Sequence, residues 1–239
     1  MSAASIGTLR EQQLHAGLKL WLAQPGDRFE QLVGGYHVDI LRGSLLIEIQ
    51  TGKFAALRRK LSRLLQEHQV VLVYPIPEAK WIVRQTRRGK QLTRRKSPKR
   101  GRIENLFDEL LYIPEIACHP NFRLMVLLTY QEDIWRDDGG GSWRRKHWSV
   151  VDRRLLEVTS KAEFSQTADY LSLIPSSLAA PFTHRQLAAA LNAPVLLSTR
   201  MSYCLRKMGL LEEQGRKGHQ LLVGPQLPLL QSELHEGTV

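Results

Sequence analysis

Two glycine-centred turns set the register of three short strands, and so decide which side chains of this chain can meet. Residues Arg28–Val33, Tyr36–Arg42 and Leu45–Gln50 read as strands, and Gly34-Gly35 and Gly43-Ser44 between them are two-residue hairpin signals. A turn at Gly43-Ser44 sets Arg42 against Leu45, Leu41 against Leu46 and Ile40 against Ile47, which brings Asp39 opposite Glu48. Side chains alternate with a period of two, so Gln50 shares their face, while Val38, Ile40, Leu45, Ile47 and Ile49 point to the core. The same arithmetic around Gly34-Gly35 places Glu30 opposite Asp39. A row of three carboxylates follows, with Cβ atoms about 5 Å apart. Like charges so placed destabilise a sheet, and a hard divalent cation bound by oxygen ligands offsets the repulsion. Mg2+ or Mn2+ held by Asp39 and Glu48 would polarise a phosphoryl oxygen and activate water for attack on a phosphodiester.

The flanking segments supply a core for such a hairpin. Thr8–Ala23 has Leu9, Leu14, Leu18 and Leu22 at helical spacing and stops at Pro25-Gly26. Phe54–His68 is a second helix, apolar at Phe54, Leu57, Leu61, Leu64 and Leu65 and basic on its other face at Arg58, Arg59, Lys60 and Arg63. Val70–Pro75 is a continuous apolar run of the kind that forms a buried parallel strand. Lys80–Gln85 reads as another strand, Ile103–Tyr112 as a helix and Arg123–Tyr130 as a strand, whereas Val150–Glu163 fits strand and helix alike. The class is α/β.

Asp39, eight residues, then Glu48-Ile49-Gln50, on a hairpin followed by a helix, resembles the PD-(D/E)XK nuclease superfamily over about residues 8–85. The resemblance implies a restriction-endonuclease-like mixed sheet flanked by helices, dependence on Mg2+ (or Mn2+), and hydrolysis of DNA. It implies Asp39 and Glu48 as metal ligands and Glu11, on the first helix, as their helper. Two positions depart from the pattern: Val38 stands where proline is usual, and Gln50 where lysine is usual. Gln50 can orient water but carries no charge, and Lys53 is the expected source of that charge. His15, one turn beyond Glu11, reads as a surface or packing histidine, and His37 as a residue that can touch a phosphate.

Composition points to a polyanionic partner. Lys plus Arg number 34 against 23 Asp plus Glu, a formal charge of +11 on 239 residues. Ten of the basic residues, and no acidic one, fall between Arg84 and Arg102. With its glycines and proline, this stretch reads as a mobile loop that clamps phosphates through Arg87, Arg88, Arg94, Arg95, Lys96, Lys99 and Arg100. Residues Pro181–Val223 resemble a winged helix-turn-helix. Thr183 caps a short alanine-rich helix, a second helix over Leu196–Met208 ends at Gly209, and a hairpin follows with Gly215–Gly218 at its tip. That resemblance implies that Arg200, Tyr203 and Arg206 read DNA while Arg216 and Lys217 touch its backbone.

The expected organisation is a nuclease-like domain over 1–120, a connector over 121–178, a winged helix over 179–225 and a tail over 226–239. No apolar run reaches the roughly 18–20 residues of a membrane span, and Met1–Arg10 shows no secretory signal, so a cytoplasmic protein is expected. Cys118 and Cys204, neither in a CxxC pair, read as buried free thiols. DNA is the expected partner, and a homodimer is compatible with everything above. The functional expectation is a metal-dependent DNA endonuclease-like protein. The rival is a catalytically inactive DNA-binding or regulatory protein on the same core, and Gln50 is the residue that speaks for it.

Overall fold

A computed structural model describes residues 12–140 and 148–226. Glu11, the 143–147 segment and the tail beyond 226 lie outside them. Helix α1 (Gln12–Leu22) leads into a meander of β1 (Arg28–Val33), β2 (Tyr36–Arg42) and β3 (Leu45–Ile49). Its register is the one that the turns dictate: Arg28 pairs with Leu41 and Val33 with Tyr36, then Arg42 with Leu45 and Ile40 with Ile47. Gly34 and Gly35 both take positive φ, 56° and 84°, which suits a tight turn matched to the twist of the strands. A 3-10 turn (Phe54–Leu57) and helix α2 (Arg58–Leu64) then cross over to β4 (Val70–Gln85), which runs parallel to β3.

Strand β4 is 16 residues long and organises the sheet. Along one edge it pairs with the parallel β6 (Phe122–Arg136), and β6 pairs with the antiparallel β7 (Ser149–Phe164). Along the other edge it pairs with β3 from Val70 to Val73 and with β5 (Gln91–Lys96) from Trp81 to Gln85. Pro75 and Pro77 lie in the gap between those two partners, where a residue without an N–H leaves no ladder bond unmade. The result is a seven-stranded mixed sheet ordered β1-β2-β3-β4-β6-β7, with β5 beside β4.

Helices cover both faces. Leu14, Leu18 and Leu22 of α1 pack on Ile40, Ile47, Ile49, Val71, Val73 and Leu127. On the other face Leu57, Leu61, Leu64 and Leu65 pack on Leu46, Val70 and Leu72, together with the short helix α3 (Phe107–Leu110). The guanidinium of Arg42 ties α1 to the meander: it donates to both Asp27 carboxylate oxygens at 2.9 and 2.8 Å and to the Leu22 carbonyl at 2.7 Å.

The C-terminal part contains β8 (Phe182–Thr183), α4 (His184–Leu191), α5 (Val195–Lys207), β9 (Leu211–Lys217) and β10 (Gln220–Pro225). Its three strands form a second sheet ordered β8-β10-β9. Thr183 caps α4 as expected, accepting from the Gln186 N–H at 3.2 Å. Phe182, Leu187, Met201 and Leu205 belong to the same continuous core as Leu46 and Leu72.

Several expectations are corrected here. The 121–178 connector is in large part β6 and β7 of the main sheet; register shifts along both strands break the alternation that would have marked them. The basic loop is largely a hairpin, because Arg94 and Lys96 lie over the Trp81 ring at 5.0 and 5.2 Å and so fix β5 to β4. Val38 packs in the core on the α2 side, not with Ile40, so β2 does not keep strict alternation through Asp39. Cys118 is exposed and Cys204 buried, both as free thiols. Among the described residues no helix is long and apolar enough to cross a membrane.

Leu18 is fully buried and Leu20 is 78% exposed on the same helix. Leu18→Ala should therefore cost about 2–5 kcal/mol in denaturant unfolding, and Leu20→Ala less than about 0.5 kcal/mol. Equal losses would mean that α1 does not present this face to the sheet.

Candidate functional site

The backbone ladder between β2 and β3 stops after the Ile40–Ile47 pair, and at that point two carboxylates take over. The Ile49 N–H donates to Asp39 Oδ2 at 2.7 Å, so a side chain from β2 does the work of a strand carbonyl. Across the gap the Asp39 N–H faces the Glu48 carboxyl and favours its charged form. Both side chains are largely buried, 13% exposed for Asp39 and 10% for Glu48. Glu48 Oε2 is buried and accepts no hydrogen bond.

Asp39 and Glu48 do not share the sheet face that strict strand alternation predicts: the break in alternation between Val38 and Ile40 turns Asp39 over, and the two carboxylates are served from opposite layers. Asp39 faces α1, where His15 Nε2 lies 3.0 Å and Lys19 Nζ 3.6 Å from Oδ1. The spacing of four residues puts both groups on one stripe of the helix. Glu48 faces α2, where Lys60 Nζ donates to Oε1 and also to the His37 carbonyl. Burial pushes the Asp39 carboxyl up, but the His15 hydrogen bond and charge, the Ile49 amide and Lys19 outweigh it and leave Asp39 below the ordinary carboxylate range. For Glu48 burial, then the Asp39 charge, win over Lys60 and leave it above that range. Asp39 therefore stabilises the fold at neutral pH, and this contribution fades as pH falls through its depressed pKa. Ionised Glu48 costs stability at neutral pH, and the cost is relieved as pH falls through its raised pKa.

Glu30 is opposite Asp39 by register but exposed, at φ 50°, and pairs with Lys19 rather than joining the two buried carboxylates. Gln50 follows β3; its N–H donates to the Val73 carbonyl and its side-chain amide to the Gly52 carbonyl. Lys53 is exposed, sits at φ 61° where the 3-10 turn begins, and pairs with neither carboxylate. Lys60 holds the place expected of Lys53, because two further helical turns bring its side chain back over Glu48. Glu109 of α3 fixes the intervening turn by accepting the Phe54 N–H at 3.0 Å. Sequence reasoning missed Lys19 and the role of Lys60, and it read His15 as a surface or packing histidine where the structure sets it 3.0 Å from Asp39. The signal for Lys60 was its place beside Leu57, Leu61 and Leu64 on the helix: it is half-buried at the border of the stripe that packs on the sheet, whereas Arg58, Arg59 and Arg63 are exposed.

The basic residues divide into groups. Arg87 and Arg88 are exposed at the hairpin tip. Arg94 pairs with Glu132 at 2.6 Å and, with Lys96, covers Trp81. Arg95, Lys99 and Arg100 line a cleft on the other side of the hairpin. On α5, Arg200 pairs with Asp108 of α3 at 2.5 Å, so the helix expected to read DNA is partly engaged within the chain. Tyr203 is exposed beneath Lys207, while Arg206 and Arg216 both lie near Glu213 and Lys217 is exposed.

Among the described residues no cluster of three or more His, Cys, Asp or Glu side chains is arranged to hold a metal ion. Mg2+ binds through one or two carboxylates and keeps its waters, but both Asp39 oxygens are engaged within the chain, Oδ2 by the Ile49 N–H and Oδ1 by His15 and Lys19. The unbonded, buried Glu48 Oε2 beside Asp39 is an acceptor of the kind such an ion needs.

Fold and site together define a mixed α/β protein with a buried two-carboxylate centre at an opened strand pair. The chain belongs to the family Domain of unknown function (DUF8091), whose family model matches residues 12–165 and so spans α1 to β7 and the whole centre. A protein of Treponema pallidum (strain Nichols), described as an uncharacterized protein, is 32% identical over 185 residues, covering 77% of this chain and 74% of its own length. No solved structure matches.

The opposing shifts give a direct check. In a carboxyl-resolved NMR titration Glu48 should release its proton at higher pH, and Asp39 at lower pH, than ordinary carboxyls of their kind. Lys60→Met should drive Glu48 higher still, since Lys60 is what restrains it. A Glu48 titration unmoved by that change would mean that the ion pair does not exist in solution.

Proposed function

We propose that this protein is a metal-dependent DNA phosphodiesterase with a restriction-endonuclease-like core, and that its C-terminal part is a winged helix-turn-helix that holds DNA. The observation that carries the reading is the buried pair of Asp39 and Glu48 at the open end of the β2–β3 ladder, with Glu48 Oε2 left without a hydrogen bond. Asp39 and Glu48 would hold Mg2+ or Mn2+, which polarises a phosphoryl oxygen and lowers the pKa of a bound water. Lys60 sets a positive charge against Glu48 at the place where two carboxylates alone would repel a phosphodiester. His15 and Lys19 fix the orientation of Asp39 from α1. Gln50 is tied to the Gly52 carbonyl through its amide nitrogen, which leaves its side-chain oxygen as an acceptor for water.

The winged-helix reading rests on element order: strand β8, helices α4 and α5, then the β9–β10 hairpin, with β10 central in the sheet. Tyr203, Lys207 and Lys217 are the exposed groups that would face DNA, whereas Arg200 would have to leave Asp108 to do so.

One observation favours the rival of an inactive DNA-binding protein. Within the chain the charges of Asp39 and Glu48 are already answered by His15, Lys19 and Lys60. Labelled duplex, single-stranded and branched DNA incubated with Mg2+, Mn2+ or EDTA separates the two. Cleavage should require the metal and vanish in Asp39→Asn and Glu48→Gln, while both variants still bind DNA. Mg2+ should raise the melting temperature of the parent but not of Asp39→Asn, because an ion bound only to the native state stabilises it. A parent that neither cleaves nor shifts its melting temperature in either metal refutes the enzyme and leaves the DNA-binding protein.

A further inference from the structure

Where β4 has no strand on its β3 side, a cleft of about 590 Å³ opens between the β4–β5 hairpin, the 97–101 segment and α3. It continues the carboxylate centre. Glu48 is registered with Leu72, and Leu72, Tyr74 and Ile76 alternate onto the same face of β4. Tyr74 and Ile76, which line the cleft, lie roughly 7 and 13 Å beyond Leu72 at the strand rise. The 97–101 wall is fixed in place. The Gly101 N–H donates to the Pro77 carbonyl at 2.9 Å, and a Cβ on Gly101 would lie 2.6 Å from that oxygen.

The chemistry of the cleft is uneven. Ile76 and Ile82 give it an apolar floor. Its two carboxylates are already matched, Asp108 by Arg200 at 2.5 Å, and Asp133 by Lys80 at 3.2 Å and Arg153 at 3.6 Å. Arg95, Lys99 and Arg100 on its rim are exposed, and their side chains form no ion pair among the described residues. Three unmatched cations around an apolar floor suit a group with an anionic end and a flat apolar body. A base stacked and paired in a duplex shows only its edge and cannot reach such a floor, whereas an unstacked base can.

We propose that this cleft takes one unpaired nucleotide of the substrate strand, its phosphate against Arg95, Lys99 and Arg100 and its base against Ile76 and Ile82. The protein thereby selects DNA that carries a single-stranded extension or flap beside the bond to be cut. This rests on the phosphodiesterase reading above and adds the substrate class to it.

The test uses the full chain carrying Asp39→Asn, so that bound DNA stays intact, and measures fluorescence anisotropy with a blunt duplex and with the same duplex bearing a short unpaired extension. The extension should tighten binding roughly tenfold, the scale of one stacked base. Adding Arg95→Gln, Lys99→Gln and Arg100→Gln together should erase that preference, and Arg100→Gln alone should reduce it. Arg87→Gln, Arg88→Gln and Lys90→Gln, which remove the same charge at the hairpin tip, should weaken both duplexes alike and keep the preference. Thermal melts check that each variant is folded. The proposal is overturned if the extension gives no preference, or if the preference survives loss of the three cleft cations. A parent that cuts DNA without regard to extensions refutes the cleft and leaves the phosphodiesterase. An extension preference lost in the cleft variant, in a parent that never cuts with Mg2+ or Mn2+, refutes the phosphodiesterase and leaves the cleft.

Discussion

The hydrogen bond from the Ile49 N–H to Asp39 Oδ2 is what the rest of the centre hangs on. It closes a ladder that has run out of backbone partners, so β2 and β3 can part without orphaning a buried amide. Once they part, two carboxylates come to lie between strands rather than on the surface of a sheet. A buried carboxylate survives only if its charge is matched or its proton retained. The centre uses both devices, a strongly matched Asp39 and a Glu48 held partly toward its neutral form.

Matching from opposite layers has a structural consequence. His15 and Lys19 reach down from α1 and Lys60 reaches up from α2, so the charge balance depends on both helices staying docked. The apolar stripes of those helices are therefore also positioning devices for the centre. Arg42 adds to this by joining the end of α1, the Asp27 carboxylate and β2 through three hydrogen bonds. Two adjacent carboxylates thus have opposite tendencies to hold a proton, set by which layer matches each of them.

The meander was legible because glycine turns and period-two alternation fix register with little help from the rest of the chain. That arithmetic set Asp39 and Glu48 at adjacent positions on neighbouring strands and α2 after them. It could not show the parting of the strands, and so it drew a flat row of Glu30, Asp39 and Glu48 where the structure has two buried carboxylates and an exposed Glu30 paired with Lys19. Lys53 looked like the missing cation by proximity in sequence, yet helical periodicity returns Lys60 to Glu48 instead. The strand character of 149–164 was hidden by register shifts, and the basic hairpin by its charge: cations stacked on Trp81 help to hold β5 in place, and a tryptophan 13 and 15 residues away from its partners leaves no local trace. The caps and helices of the C-terminal part were legible because Thr183 and Gly209 act within one turn of themselves.

Pro75 and Pro77 also matter for what they prevent. A long buried strand with a bare stretch of edge is an invitation to any extended chain seeking a partner, and aggregation begins in such places. Prolines in that stretch offer no donors, and the 97–101 segment occupies two of the remaining carbonyls, those of Pro77 and Lys80. The protein can thus keep an opening in the middle of its largest sheet without that opening behaving as an adhesive edge, and a recess that would otherwise be sealed by self-association stays open to solvent.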